Sequence, residues 1–268
     1  MNAERGALLR TGVEAVVTAV RPAGAFDVVS LQVPGPSPWA GARPGQLVVV
    51  PVDPRCGSVL AQVHWLAGVH DDPVHGTGVV LLLPATRETQ AGEVLRVLGP
   101  LGRGFAPPAQ PVPALLVGHE GGAVPLRWLV EVLRERGCPA HVLLSASDPE
   151  LHLDLVHLRR HARSVVLTLP EDLPAALERA LGDPGVDPAV VYAAAPIPVL
   201  RTVAAAALRR GRVVRVAALD LAGPVVCGTG LCGACDLEVT LDRSTTVVRP
   251  CLEGPVVPGE WLVEAPPR

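Results

Sequence analysis

Four cysteines cluster near the C-terminal end of this 268-residue chain: Cys227, Cys232 and Cys235 in the run C-G-T-G-L-C-G-A-C, and Cys251 in R-P-C-L-E-G-P. Thiolates at this density are soft metal ligands. Three on one tight loop and a fourth from a neighbouring segment can surround two irons. Four can also hold one zinc, pair into two disulfides, or stay buried and inert. Zinc sites more often pair two short knuckles, whereas this run has one C-x2-C knuckle and a C-x4-C step. Disulfides suit a small secreted domain better than a chain of this length. The interleaved Gly228, Gly230 and Gly233 allow positive φ and bring backbone N–H groups close to sulfur. The spacing favours an iron–sulfur cluster, and with it electron transfer.

The remaining composition narrows the field. An apolar fraction of 49% and a net charge of −3 describe a folded chain with room for two domains, or two and a small appendage. All 23 basic residues are arginine, a pattern that GC-rich coding explains without any functional account. No basic stripe is interleaved with aromatic residues, so nucleic acid is not an expected partner. No apolar run reaches the roughly 18 residues of a membrane span. The N-terminal Met-Asn-Ala-Glu-Arg-Gly lacks the layout of a signal peptide. The cytoplasm, where thiols stay reduced, is the expected location. Cys56 and Cys138 read as ordinary thiols.

These cysteines need a scaffold. Short β-branched segments recur at 13–20, 26–33, 46–52, 59–67, 79–83 and 93–98, separated by turns such as Pro34-Gly35-Pro36 and Asp71-Asp72-Pro73. Strands without intervening helices predict a small antiparallel barrel. The rhythm then changes. Strands at 114–117, 140–144, 165–169, 189–194 and 213–217 alternate with helices at 124–136, 149–160, 173–181 and 198–210, which predicts a parallel sheet of nucleotide-binding type. A hairpin, 236–241 with 245–249, separates the last two cysteines. The expected division is a barrel over 1–108, an α/β domain over 109–218 and a cluster domain over 219–268.

The C-x4-C-x2-C…C spacing is that of plant-type ferredoxins, which hold a [2Fe–2S] cluster. Barrel, α/β domain and cluster loop in this order resemble the electron transfer subunits of type B dihydroorotate dehydrogenases, within the ferredoxin–NADP reductase superfamily. The resemblance rests on the cysteine pattern, on Arg249-Pro-Cys-Leu-Glu-Gly-Pro-Val256, on Gly99-Pro-Leu-Gly-Arg-Gly-Phe105 and on Pro44-Gly-Gln46. It implies FAD bound between barrel and α/β domain. It implies electrons passing between a nicotinamide, FAD, the cluster of Cys227, Cys232, Cys235 and Cys251, and the flavin of a partner catalytic subunit. That in turn implies a hetero-oligomer and a place in pyrimidine biosynthesis.

Several cofactor motifs depart from the family pattern. The Arg-Pro-x-Ser strand, whose arginine pairs with the FAD diphosphate, corresponds to Leu60-Ala-Gln-Val-His-Trp-Leu66. There Gln62 and His64 can donate hydrogen bonds and Trp65 can cover a flavin ring; the alternative is that all three are ordinary strand residues. The Gly-x-Gly-Thr turn becomes Leu83-Pro-Ala-Thr-Arg-Glu88, keeping only Thr86, with Arg87 read as solvated surface. On the nicotinamide side, Gly118-His-Glu-Gly-Gly-Ala-Val-Pro-Leu126 keeps Gly118, Gly121 and Gly122 as candidate NAD contacts at a helix start. His119 and Glu120 replace small residues there, and Glu120 would repel phosphate. The family's Cys-Gly-Pro reads Ala194-Ala195-Pro196. Efficient direct oxidation of NADH is therefore not expected. The competing reading is a non-catalytic [2Fe–2S] relay, redox sensor or assembly protein without flavin or NAD.

Among the histidines, His152 and His157 are five apart and make a poor ligand pair. His157 and His161 are four apart, but Arg159 and Arg160 beside them suggest a solvated basic face. A Rieske centre needs two histidine ligands and is disfavoured by four well-spaced cysteines. Hydrolase, zincin and Walker motifs are absent.

Overall fold

The structure, a computed structural model, describes residues 12–34, 38–51, 61–72, 76–221, 226–241 and 244–263. Cys56, the turn residues Gly35, Pro36 and Pro73, and the expected strand start at Val59 lie outside the described residues.

Strands β1 (Val13–Ala23), β2 (Phe26–Val33), β3 (Leu47–Val50), β4 (Gln62–Asp72), β5 (Gly76–Pro84) and β6 (Val94–Leu101) form a closed barrel in the order β1-β2-β5-β4-β3-β6. Every pairing is antiparallel. Closure leaves no strand edge unpaired. Alternate residues, among them Ala15, Val17, Val29, Leu31, Val48, Leu66, Leu81 and Val97, fill the interior. The opposite face of β3 and β4 is not solvated. Leu47, Trp65 and Ala67 join a second apolar cluster shared with the α/β domain and with Val226 and Cys251.

The chain continues through β7 (Ala114–His119), α1 (Val124–Glu135), β8 (Ala140–Ser145), α2 (Leu155–His161), β9 (Ser164–Thr168), α3 (Leu173–Gly182), β10 (Val190–Ala194), α4 (Ile197–Arg209) and β11 (Val213–Ala217). After these come β12 (Leu237–Leu241), β13 (Ser244–Val248), the short α5 (Pro250–Glu253) and β14 (Val256–Pro258). The sheet order is β14-β11-β10-β7-β8-β9, parallel except for β14, which runs antiparallel to β11. Helices cover both faces, so β7, β8 and β10 are buried almost throughout, as parallel strands must be. The order reverses between β7 and β10, which is where open α/β sheets bind ligands.

One expected helix is corrected. Residues 149–160 are not continuous: a 3-10 turn at Pro149–Leu151 is followed by extended His152, and α2 starts only at Leu155. Tertiary contacts interrupt it. The Glu150 carbonyl accepts from Ala25 N–H of the β1–β2 turn at 2.8 Å. Asp154, at φ +25°, turns its carboxylate to Arg127 Nε (2.9 Å) and Arg21 Nη2 (2.8 Å). Arg127 Nη1 also donates to the Ala67 carbonyl of β4 at 2.9 Å. This buried clasp ties α1, the segment before α2 and two barrel strands together. Neighbouring Trp128 packs with the barrel interior cluster.

The segments that carry the family resemblance meet at one place. Gln46 Nε2 donates to the Gly102 carbonyl at 2.9 Å, and Phe105 N–H to the Pro44 carbonyl at 2.7 Å. Arg103 N–H donates to the Gly254 carbonyl, and its own carbonyl accepts from Val256. A methyl on Gly102 would stand 2.5 Å from Pro255 Cδ, so that glycine is required by close approach as well as by its φ of +79°. Phe105 meets Tyr192 of β10 edge-on at 5.4 Å, and Tyr192 Oη donates to the Ala106 carbonyl. These residues cement barrel, α/β sheet and cluster segment.

Candidate iron–sulfur centre and flanking cofactor residues

The four thiols lie on one loop and one short helix. Cys227, Cys232 and Cys235 lie on the loop before β12, and Cys251 sits in α5. Gly228, Gly230 and Gly233 all take positive φ, +70°, +78° and +70°. That curvature aims three backbone donors at one sulfur: Cys227 Sγ accepts from Thr229 N (3.4 Å), Leu231 N (3.2 Å) and Cys232 N (3.4 Å). Cys232 Sγ accepts from Ala234 N at 3.4 Å, and Cys235 Sγ lies 3.2 Å from Cys251 Sγ. Burial works against ionisation of Cys227, yet the donors from Thr229, Cys232 and Leu231 outweigh it and draw the thiol down to about 6. Burial and the neighbouring Cys235 push Cys251 up to about 12. A thiol of that kind gives up its proton to a metal rather than to water. Four cysteine sulfurs, with backbone N–H groups aimed at Cys227 and Cys232, fit an iron–sulfur cluster.

Arg249 is a positioning residue whose role was not apparent from the sequence. Its Nε donates to Asp236 Oδ1 at 2.8 Å, its Nη1 to the Gly230 carbonyl at 3.1 Å, and its backbone N–H to Glu253 Oε1 at 3.0 Å. It thus ties the three-cysteine loop to the segment carrying the fourth. The loop rests on the barrel: a methyl on Gly228 would come within 2.9 Å of Val49 Cγ2 and 3.2 Å of Val63 Cγ2. On its outer side Cys232 is exposed and Leu231 is 87% exposed.

The flavin candidates are split. His64 and Trp65 are consecutive on β4 and so face opposite sides of the strand. Gln62 and Thr86 are exposed. Trp65 is 3% exposed within the cluster shared with Cys251, its indole Nε1 without a hydrogen-bond partner. Arg87 is not the solvated surface residue expected. Its side chain is 18% exposed, it pairs with Glu93 at 3.3 Å, and its Nη1 is buried without a partner. His64 Nε2 and Thr89 Oγ1 are also buried without partners. Burial and the positive charge of Arg87 push His64 down to about 4. Buried donors normally have partners. Arg87 Nη1 and Thr89 Oγ1, unpaired donors in and just after the turn following β5, therefore fit an anionic group such as the flavin diphosphate, whereas His64 pairs with Val48 on the barrel-interior side of β4.

At the nicotinamide turn the glycines face protein. A methyl on Gly118 would lie 2.6 Å from Ala123 Cβ, one on Gly122 3.2 Å from Ala195 Cα, and one on Gly121 3.4 Å from Phe26 Cζ. Glu120, at φ +45°, accepts from Ser147 N (3.0 Å) and Ser147 Oγ (2.6 Å). His119 Nδ1 lies 2.9 Å from Ser145 Oγ. The Ser147 side-chain bond is the main cause of Glu120's lowered pKa, against a smaller opposing effect of burial. A carboxylate thus already occupies donors at the C-terminal ends of β7 and β8.

His157 and His161 correct the sequence reading too. They do not form a solvated basic face: the rings lie 4.2 Å apart, half-buried, beside Glu131 of α1. His152, outside α2, is not with them.

A closed antiparallel barrel, a parallel sheet in the order β9-β8-β7-β10-β11 and a three-thiol loop with a fourth thiol on α5 define a ferredoxin-reductase-like architecture with an iron–sulfur domain. Residues 224–263 match the family described as the iron-sulfur cluster binding domain of dihydroorotate dehydrogenase B. The electron transfer subunit of dihydroorotate dehydrogenase B (NAD(+)) from Desulforamulus reducens is 26% identical over 195 residues, which cover 66% of this chain and 68% of that protein. Among solved structures, a chain of the NADH-dependent reduced ferredoxin-NADP oxidoreductase superposes with a TM-score of 0.69 at 19% identity, covering 94% of this chain and 90% of that one. The ferredoxin reductase of carbazole 1,9a-dioxygenase superposes with a TM-score of 0.60 at 18% identity, over 75% of this chain and 66% of that chain. Among the described residues no helix is long and apolar enough to cross a membrane.

Proposed function

We propose that this chain is an iron–sulfur flavoprotein electron-transfer subunit. The carrying observation is the cage of three N–H donors around Cys227 beside the Cys235–Cys251 pair. When bound, a [2Fe–2S] cluster accepts and releases single electrons and FAD exchanges pairs with singles, so the two together join two-electron to one-electron chemistry. Cys227, Cys232, Cys235 and Cys251 hold the cluster, with Arg249 keeping the two cysteine segments in register. Arg87 and Thr89 bind the flavin's anionic portion, and the cluster loop is seated on Val49 and Val63 of the barrel.

The relative's description as an electron transfer subunit supports a catalytic partner and a hetero-oligomer. The exposed Leu231 and Leu252 beside the cysteines make a suitable apolar contact for that partner. A cytoplasmic location and the division into 1–108, 109–218 and 219–268 belong to the same reading. NADH is a weak donor in it, because Glu120 must leave Ser147 before a phosphate can approach. The flavin-free relay is favoured by one observation, the filling of the barrel–α/β junction by Trp65. The test is Cys232→Ser: it abolishes the cluster's visible spectrum and leaves the circular dichroism of the folded chain unchanged. An unaltered visible spectrum would overturn the ligand assignment.

A further inference from the structure

We infer that Glu131, His157 and His161 form a second metal site, for a divalent first-row transition ion, bridging α1 and α2. Each residue offers one ligand atom, and these atoms all lie within 4.8 Å of one another. Two imidazoles and a carboxylate are the ligand set that Zn2+, Co2+ and Ni2+ favour, with water completing the shell. The separation within one helix is right: positions four apart share a face, and the two rings stack at 4.2 Å.

Several further features suit a cation. His161 Nδ1 is 2.9 Å from the His157 carbonyl. A backbone carbonyl can only accept, so Nδ1 carries the hydrogen and Nε2 presents its lone pair outward. Metal-binding histidines are commonly oriented by such a bond. Glu131 Oε2 is buried without a hydrogen-bond partner and stands 3.8 Å from His157 Nε2. An unsatisfied buried carboxylate oxygen is costly, and a bound cation removes the deficit. Arg127, whose carbonyl meets His157, is already neutralised by Asp154 at 2.9 Å. His157 Nε2 lies 3.1 Å from the Arg127 carbonyl and so carries the hydrogen here; to take the ion through that nitrogen the ring gives up this bond and moves its proton to Nδ1. All three residues are half-buried, so an ion can enter from solvent while the helices hold its ligands. The ligand atoms draw together by side-chain rotation, since atoms bound to one ion at about 2.1 Å stand about 3.4 Å apart.

The test uses the full chain with its cluster already assembled, so that the thiolates are occupied. Anaerobic titration with Co2+ alone, followed by calorimetry and visible difference spectra, should show one ion per chain with weak d–d bands and no sulfur-to-cobalt charge transfer. Glu131→Gln and His161→Gln should each weaken binding at least about tenfold, the effect of removing one ligand of three, with the cluster spectrum and circular dichroism unchanged. A Co2+-dependent rise in Tm, present in the parent chain and absent from His161→Gln, provides a second readout that tolerates partial loss of stability. Equal affinity in parent and variants, thiolate charge-transfer bands, or no binding at roughly 100 μM would each overturn the assignment. None of these outcomes bears on the cysteine cluster.

Discussion

Replacing Asp154 by asparagine should destabilise the chain far more than removing its exposed partner, Arg21. The Asp154 side chain is 1% exposed and accepts from Arg127, itself 8% exposed, and from Arg21, which is 51% exposed. Asparagine retains the volume and withdraws the charge, leaving the Arg127 guanidinium buried against the Ala67 carbonyl with no counter-ion. Breaking a buried pair from one side costs about 3–5 kcal/mol. For a chain of this size that corresponds to a fall in Tm of roughly 6–20 °C. Arg21→Ala leaves the buried Arg127–Asp154 bond in place and should cost under about 1 kcal/mol. Replacing both buried partners, Arg127→Met with Asp154→Leu, should recover most of the loss, because no charge is then stranded. Urea unfolding of the four proteins, followed by circular dichroism, measures the series. Near-equal losses for Asp154→Asn and Arg21→Ala, or a double variant worse than the single, would refute the reasoning. The pH dependence has a definite sign. Burial raises the Asp154 pKa, but hydrogen bonds and charges from Arg127 and Arg21 outweigh it, and the folded value lies below the usual one. Its contribution is therefore complete above the unfolded value of about 3.9 and is lost as pH falls through the lower folded value. Asp154→Asn should remove that portion of the acid sensitivity.

Three other outcomes follow from the sites. Arg87→Ala removes a buried donor to an anion and should weaken FAD binding by roughly 10- to 150-fold, the equivalent of about 1.5–3 kcal/mol for a charged hydrogen bond, as read by flavin fluorescence on titration. Glu120→Gln should bring NADH binding up by at least about fivefold, since a carboxylate no longer faces the phosphates; calorimetric titration checks this, and unchanged or weaker binding would contradict the blocking role given to Glu120. Leu231→Asp, at a side chain 87% exposed, should leave the cluster spectrum unchanged and slow electron delivery to a partner flavoenzyme in stopped-flow mixing.

The cysteine centre was legible because its chemistry is local: spacing and interleaved glycines suffice to curve one loop around a sulfur. Barrel and parallel sheet were legible for a similar reason, since periods of two and alternating strand–helix segments survive without tertiary information. What escaped depends on distant partners. The break between Pro149 and Leu155 arises because Glu150 and Asp154 serve the barrel turn and two arginines, and no propensity within 149–160 encodes that. Arg87 looked solvated because its surroundings, Glu93 and His64, come from other segments of the chain. His157 and His161 acquire a carboxylate only when α1 packs against α2, which no i,i+4 count on one helix reveals. Arg249 was visible only as part of a motif, its function set by Asp236 and Gly230 across a loop. β14, three residues of Val-Val-Pro, is too short for a pattern and is a strand only because β11 presents an edge to it.

The central claim is that four thiolates hold a [2Fe–2S] cluster in a protein that also binds FAD. It is tested most directly by a visible spectrum of anaerobically purified protein, with iron, acid-labile sulfide and released flavin measured on the same sample. About two irons, two sulfides and one FAD per chain are expected. Cluster without flavin would contradict the role assigned to Arg87 and Thr89. A colourless protein containing zinc would contradict the account at its root.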